Sequence, residues 1–213
     1  MKTILFMGDS ITDAGRSRED DYNLGYGYAT MTAGKLGCDY QGAFRFLNRG
    51  IGGNRSIDLL ARIKRDLLNL KPDYMTLLIG VNDVWAELRS HNGGSAEEYE
   101  FNVDLLLTRV LQALPKLRII VLEPFVLRGA NTEEEFDAFD AEVRLCAHVA
   151  KRLAEKHGLL FVPLQEMLSA FATKTSAETV LADGVHPTYV GHELISRRLC
   201  DAFRTVFEAE TLG

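Results

Sequence analysis

Five short apolar runs recur along the chain, at 3–7, 43–47, 74–79, 118–122 and 159–163, and longer segments with helical spacing separate them. Each run is apolar at nearly every position, as a strand covered on both faces must be. Strand and helix alternating from end to end predict an α/β fold: a parallel sheet between two helical layers, joined by right-handed crossovers. Helices are expected over 56–70 with Ser56 as N-cap, over 96–113 before Pro115, over 133–157, and after Pro187. In the third of these, Phe136, Phe139, Val143, Cys146, Ala150 and Leu153 recur every three or four residues, and His157-Gly158 supplies a stop. The segments 91–95 and 165–182 read as loop insertions at the rim of the sheet. No repeat or linker interrupts the pattern, so 1–213 reads as one domain, long enough to bury a core without a disulfide or metal staple.

Composition removes several classes of function. With 46% hydrophobic and 25% charged residues the chain is neither disordered nor fibrous. Lys and Arg number 24 against 30 Asp and Glu, and the basic residues are dispersed, so no stripe for a phosphate backbone is expected. The apolar run at 3–7 is too short for the core of a signal peptide, and no stretch reaches membrane-span length. Cys38, Cys146 and Cys200 are odd in number and far apart, which reads as buried free thiols in a reducing cytoplasm.

In an open α/β sheet the ligand sits beyond the carboxyl ends of the strands, so polar residues there carry the functional signal. Gly8-Asp9-Ser10 follows the first run, Asn48 to Asn54 the second, Gly80-Val81-Asn82-Asp83 the third, and Asp183-Gly184-Val185-His186-Pro187 precedes the last helix. Acyl transfer needs a nucleophile, a base, a carboxylate to orient it and donors for the tetrahedral oxyanion. Ser10, His186 and Asp183 supply the first three. The backbone N–H groups of Ser10 and Gly53 and the side-chain amide of Asn82 supply the donors, Gly53 because a residue without Cβ lets its N–H come close to a reacting oxygen. Each block alone has a plainer reading: a helix cap at Ser10, a tight turn at 50–53, caps at Asn82 and Asp83, a turn at 183–184. Their common placement at one sheet edge favours catalysis. Asp9, Tyr26 and Trp85 are candidate substrate contacts. Trp85 and the tyrosines also have a reading as packing. His91, His148, His157 and His192 read as surface or capping residues; Asp9, Asp13, Asp83 and His186 could ligate a metal, but without a second histidine or a close carboxylate pair that is the minor reading.

Taken in this order the four blocks resemble the SGNH, or GDSL-type, hydrolase family, with Ser10, Gly53, Asn82 and the Asp183–His186 pair on the family's motif positions. Ile11 stands where the block has Leu, a volume-conserving change. Gly8 to Asp13 with Gly15-Arg16, the Asn48 to Asn54 stretch, Lys71-Pro72-Asp73, Gly80 to Trp85, Pro124-Phe125, and Asp183 to Pro187 with Gly191-His192 look most like its intracellular acetyl-xylan and xylo-oligosaccharide esterases. The resemblance implies a three-layer flavodoxin-like sandwich with five parallel strands, a serine esterase removing O-acetyl groups from a carbohydrate, no cofactor, and assembly into a homo-oligomer. Three rivals stay open: a lysophospholipase, thioesterase or short-chain acetylhydrolase with the same blocks; a metal-dependent hydrolase; and a non-catalytic sugar- or nucleotide-binding protein.

Overall fold

A strand with apolar side chains on both faces is stable only with a helical layer on each side. The computed structural model, which describes residues 1–211 with side chains to residue 209, has that arrangement. The five runs form β1 (Lys2–Gly8), β2 (Phe44–Gly50), β3 (Tyr74–Leu78), β4 (Arg118–Leu122) and β5 (Leu160–Val162). All neighbours pair in parallel in the order β2-β1-β3-β4-β5. This is the flavodoxin-like order, and its reversal lies at β1 and β3. Every residue of β3 is buried, as are Ile4 to Met7 of β1.

The helices are α1 (Ser10–Asp13), α2 (Tyr28–Asp39), α3 (Ser56–Ile63, continuing as a π turn over Lys64–Leu68), α4 (Val81–Ser90), α5 (Ala96–Ala113), α6 (Phe136–Lys156), α7 (Gln165–Lys174), α8 (Ala177–Val180) and α9 (Tyr189–Thr211). α2, α7 and α8 pack with α9, and α3, α4 and α6 join α5 in the opposite layer. No helix among the described residues is long and apolar enough to cross a membrane.

Three expectations need correction, and α2 was not expected. The 165–182 insertion is helical, as α7 and α8; α7 buries only Gln165 and Leu168, too few apolar positions to print a period on the sequence. α2 left no clear signal either, because its buried face of Tyr28, Ala29, Thr32 and Leu36 is interspersed with small residues. Ser56 is the first residue of α3, not its cap; the cap position belongs to Arg55, whose N–H donates to Asp58 Oδ2 at 2.9 Å. Cys38 is exposed, whereas Cys146 and Cys200 are buried.

At the ends of β1 and β2 two glycines face each other in register, Gly8 opposite Gly50. A Cβ on Gly8 would strike the Thr12 side chain and the Leu78 carbonyl, and one on Gly50 would strike the backbone of Thr12 and Asp13. The turn of α1 can therefore lie directly on the strand ends. Since Leu5 is fully buried in β1, Leu5→Ala is expected to lower unfolding free energy by about 2–5 kcal/mol, measured by urea denaturation.

Candidate active site

The segment after β1 turns at once into α1, which aims Ser10 out of the sheet edge. Asp9 caps that turn: its Oδ1 accepts the Ile11 N–H at 2.9 Å. Asp9 is fully buried and its Oδ2 has no partner. Burial pushes its carboxyl up to about 7, against the pull of the Ile11 amide and the nearby His186. A side chain with no exposed surface does not touch substrate, so the expectation of Asp9 as a substrate contact is replaced by a role in shaping the serine turn.

From the far end of the chain, the loop between α8 and α9 brings in the imidazole. It is closed by an antiparallel bridge between Leu181 and Pro187 and by the Ala182 N–H donating to the His186 carbonyl at 2.8 Å. Thr188 Oγ1 accepts the N–H groups of Val190 and Gly191 and so starts α9. His186 Nε2 lies 3.0 Å from Ser10 Oγ, and its Nδ1 lies 2.7 Å from Asp183 Oδ2. Asp183 Oδ1 accepts from the amides of Val185 and His186, and Oδ2 also accepts from Asn131 Nδ2 at 2.9 Å. Burial works against this charge, but the His186 amide and ring, the Val185 amide and Asn131 together hold the carboxyl down at about 2. Asn131 was not singled out by sequence, because the loop between β4 and α6 carries no motif.

The glycine-rich loop is gripped on several sides. Gly50 donates to Asn48 Oδ1 and its carbonyl accepts from Arg16 and Arg18; Gly52 donates to Asp13 Oδ2 at 3.1 Å, and Ile51 donates to the Gly8 carbonyl at 3.2 Å. A Cβ on Gly52 would lie 3.8 Å from Ser10 Cβ, which puts the loop against the serine. Gly53 has φ +77°, and the space around it is open, so glycine is required there by backbone conformation rather than by crowding. Asn82 Nδ2 donates to the Asn54 carbonyl at 3.1 Å. Asp83 accepts from both the N–H and the hydroxyl of Ser56 and so caps α3 from across the fold; burial pushes its carboxyl up to about 6 in spite of those bonds.

Trp85 stands 5.9 Å from His186 and 6.1 Å from Phe139, ring centre to ring centre, and the Arg89 guanidinium covers it at 4.8 Å. With Leu88, Arg89, Asn131, Thr132 and Phe139 it lines a cleft of about 220 Å³. Tyr26 is exposed and meets His192 edge-on. His192 is neither surface nor an ordinary cap: it is buried, and its Nδ1 accepts the Tyr28 N–H at 3.2 Å, tying α9 to the start of α2. His157 pairs with Asp104 at 2.7 Å, while His91 and His148 are exposed. Among the described residues, no group of three or more His, Cys, Asp or Glu side chains is placed to hold a metal ion.

A serine, an imidazole and a carboxylate hydrogen-bonded in series at a sheet edge define a hydrolase-type site, and comparison with known proteins gives it a family. Residues 6–194 match the model of the GDSL-like lipase/acylhydrolase family. An acetylxylan esterase of Geobacillus stearothermophilus is 35% identical, over 91% of this chain and 90% of its own. Among solved structures, a Parabacteroides merdae protein described as a GDSL-like lipase superposes with a TM-score of 0.89 at 35% identity, covering 94% of both chains. The Geobacillus esterase, Axe2, superposes at 0.82 with 30% identity, over 93% of this chain and 92% of its own. The chain belongs to the GDSL-like lipase/acylhydrolase family and is a carboxylic ester hydrolase.

Burial lowers the His192 pKa to about 4, and the neighbouring His186 acts in the same direction. An unfolded chain takes up that proton near 6.5, so the stability contributed by neutral His192 is complete above pH 6.5 and is lost as pH falls through 6.5 toward 4. His192→Asn, whose Oδ1 can still accept from Tyr28, is expected to flatten the fall of the urea midpoint over that range.

Proposed function

We propose that the protein is a serine esterase that removes acetyl groups from xylo-oligosaccharides through an acyl-enzyme. Ser10 Oγ attacks the ester carbonyl while His186 Nε2 takes its proton, and Asp183 holds the Nδ1 tautomer and stabilises the imidazolium that forms. The N–H groups of Ser10 and Gly53 and the free N–H of the Asn82 amide receive the oxyanion. His186 then returns the proton to the departing sugar oxygen, and a water activated by the same imidazole cleaves the acetyl-serine. The observation that carries this reading is the unbroken hydrogen-bonded series Ser10 Oγ, His186 Nε2, His186 Nδ1, Asp183 Oδ2, at 3.0 and 2.7 Å.

The sugar takes the cleft beside Trp85, and Tyr26, exposed and bonded through its N–H to the Ala14 carbonyl at the end of the serine turn, offers a further aromatic face. Support for acetyl and for xylose comes from the similarity to an acetylxylan esterase, and structures of that esterase include catalytic mutants with a serine or an aspartate replaced by alanine. The same reading makes the enzyme cytoplasmic, self-associating, and without a nucleic-acid or membrane partner.

Ser10→Ala is expected to abolish both turnover and labelling by a fluorophosphonate, and Asn82→Ala to lower kcat by about 100- to 1,000-fold. Turnover of acetylated xylo-oligosaccharide should exceed that of lysophospholipid and of acyl-thioester. Faster hydrolysis of either rival would replace the substrate assignment, and labelling of Ser10→Ala would remove the serine from its role.

A further inference from the structure

The side chain of Arg62, near the end of α3, has little exposed surface. Its guanidinium is used on almost every side. Nε donates to Asn54 Oδ1 at 2.7 Å, Nη1 to the Arg49 carbonyl at 2.7 Å and to Asp66 Oδ2 at 3.0 Å, and Nη2 to the Gly8 carbonyl at 2.9 Å. Nη1 also approaches Met7 Sδ at 3.7 Å. Gly8 leads directly into Asp9 and Ser10; Arg49 and Asn54 bracket the loop that contains Gly53; and the Asn54 carbonyl receives the Asn82 amide. One planar cation thus spans the ends of β1 and β2 and reaches a third segment through Asn54.

The carriers of Ser10, Gly53 and Asn82 come from three separate crossovers, and a loop rich in glycine has no side chains of its own to fix its place. Removing a cation from water is costly, and a buried ion pair such as Arg62–Asp66 contributes little net stability over an apolar packing of the same volume. The directional value of the group lies in its fork of donors, which an ammonium cannot reproduce. Asp66 sits in the π turn that follows α3, where it accepts from Arg62 and also from Arg65 at 2.7 and 3.0 Å, fixing the guanidinium from below. Widened turns of this kind recur at functional sites.

We propose that Arg62 is a positioning residue of the esterase, holding the serine turn, the glycine loop and Asn82 in the mutual geometry that receives the oxyanion. This rests on the assignment of Ser10, Gly53 and Asn82 as oxyanion donors. Arg62 touches no reacting atom. Its effect falls on the step in which charge develops on the carbonyl oxygen, so it acts on kcat and leaves KM for a small ester nearly unchanged.

The test is a set of variants, Arg62→Lys, Asn54→Ala, Asn82→Ala and the doubles of Asn82→Ala with each of the first two, assayed on 4-nitrophenyl acetate. Folding is checked by near-ultraviolet circular dichroism. Arg62→Lys keeps the charge but not the fork, and is expected to lower kcat by about 10- to 100-fold, the size of effect that a misplacement of about 1 Å produces. Asn54→Ala removes one acceptor of the fork and leaves the backbone carbonyl that holds Asn82, so it lowers kcat less, and it serves if the Arg62 variant does not fold. In the Asn82→Ala background both losses shrink, because the frame has one donor fewer to position. Wild-type kcat in both Arg62→Lys and Asn54→Ala, a loss confined to KM, or losses that persist in full beside Asn82→Ala would overturn the positioning role. Full activity of Asn82→Ala alone would remove the oxyanion assignment and this proposal with it, whereas a slowed Asn82→Ala beside an unimpaired Arg62→Lys would remove only the role of Arg62.

Discussion

The close approach of α1 to the ends of β1 and β2 is the constraint on which the site depends. Gly8 and Gly50 are paired across the two strands, and a methyl group on either would push into the backbone or side chain of the serine turn. With that gap closed, β1 can pass straight into a turn that lifts Ser10 above the sheet, and the loop after β2 can lie beside it. The hydrogen bond from the Ile51 amide to the Gly8 carbonyl joins the two at the point of contact. Because β1 lies between β2 and β3, the segments that leave these three strands surround one crevice.

Charge is arranged there in two opposite ways. Asp183 is surrounded by donors and keeps its negative charge well into acid, so its contribution to stability is present above the ordinary carboxylate range and is lost as pH falls through 3.8 toward 2. Burial raises the carboxyls of Asp9 and Asp83, the latter in spite of its bonds from Ser56, so their contributions are full below 3.8 and are lost as pH rises toward about 7 and 6 respectively. The fold thus buries two carboxyl groups at the site, one capping α1 beside Ser10 and one capping α3. Groups held at a cost in stability are common where a site needs fixed geometry.

Much of this was legible in the residues. The five strands were visible because a strand buried on both faces cannot hide its composition, and α5 matched its predicted bounds because an apolar stripe and Pro115 agreed; the Ser95–Glu98 capping box in the structure fixes its start. The blocks at Ser10, Asn82 and Asp183–His186 stood out because polar residues and glycines gathered where strands end. The supporting groups were not legible. Arg62 lies on an amphipathic helix where a basic residue is unremarkable, Asn131 lies in a loop without a motif, and the tie between His192 and Tyr28 joins segments 164 residues apart. Asp9 was misread because a polar residue beside a nucleophile suggests exposure, and only packing reveals that it is sealed. α7 and α8 were missed because their faces against the core are too narrow to leave a period.

Ser10 and His186, which the proposed reaction pairs as nucleophile and base, are 176 residues apart in the chain, the former in α1 and the latter just before α9. α9 is fastened to α2 by His192 on the Tyr28 amide, by Ser196 with Thr32 and by Glu193 with Lys35. The loop bearing Asp183 and His186 is held at its other end by that same helix. In synthesis from the amino end, Ser10 therefore emerges well before the loop that carries His186. The proposed proton relay can form only after that loop has emerged and α9 has seated against α2.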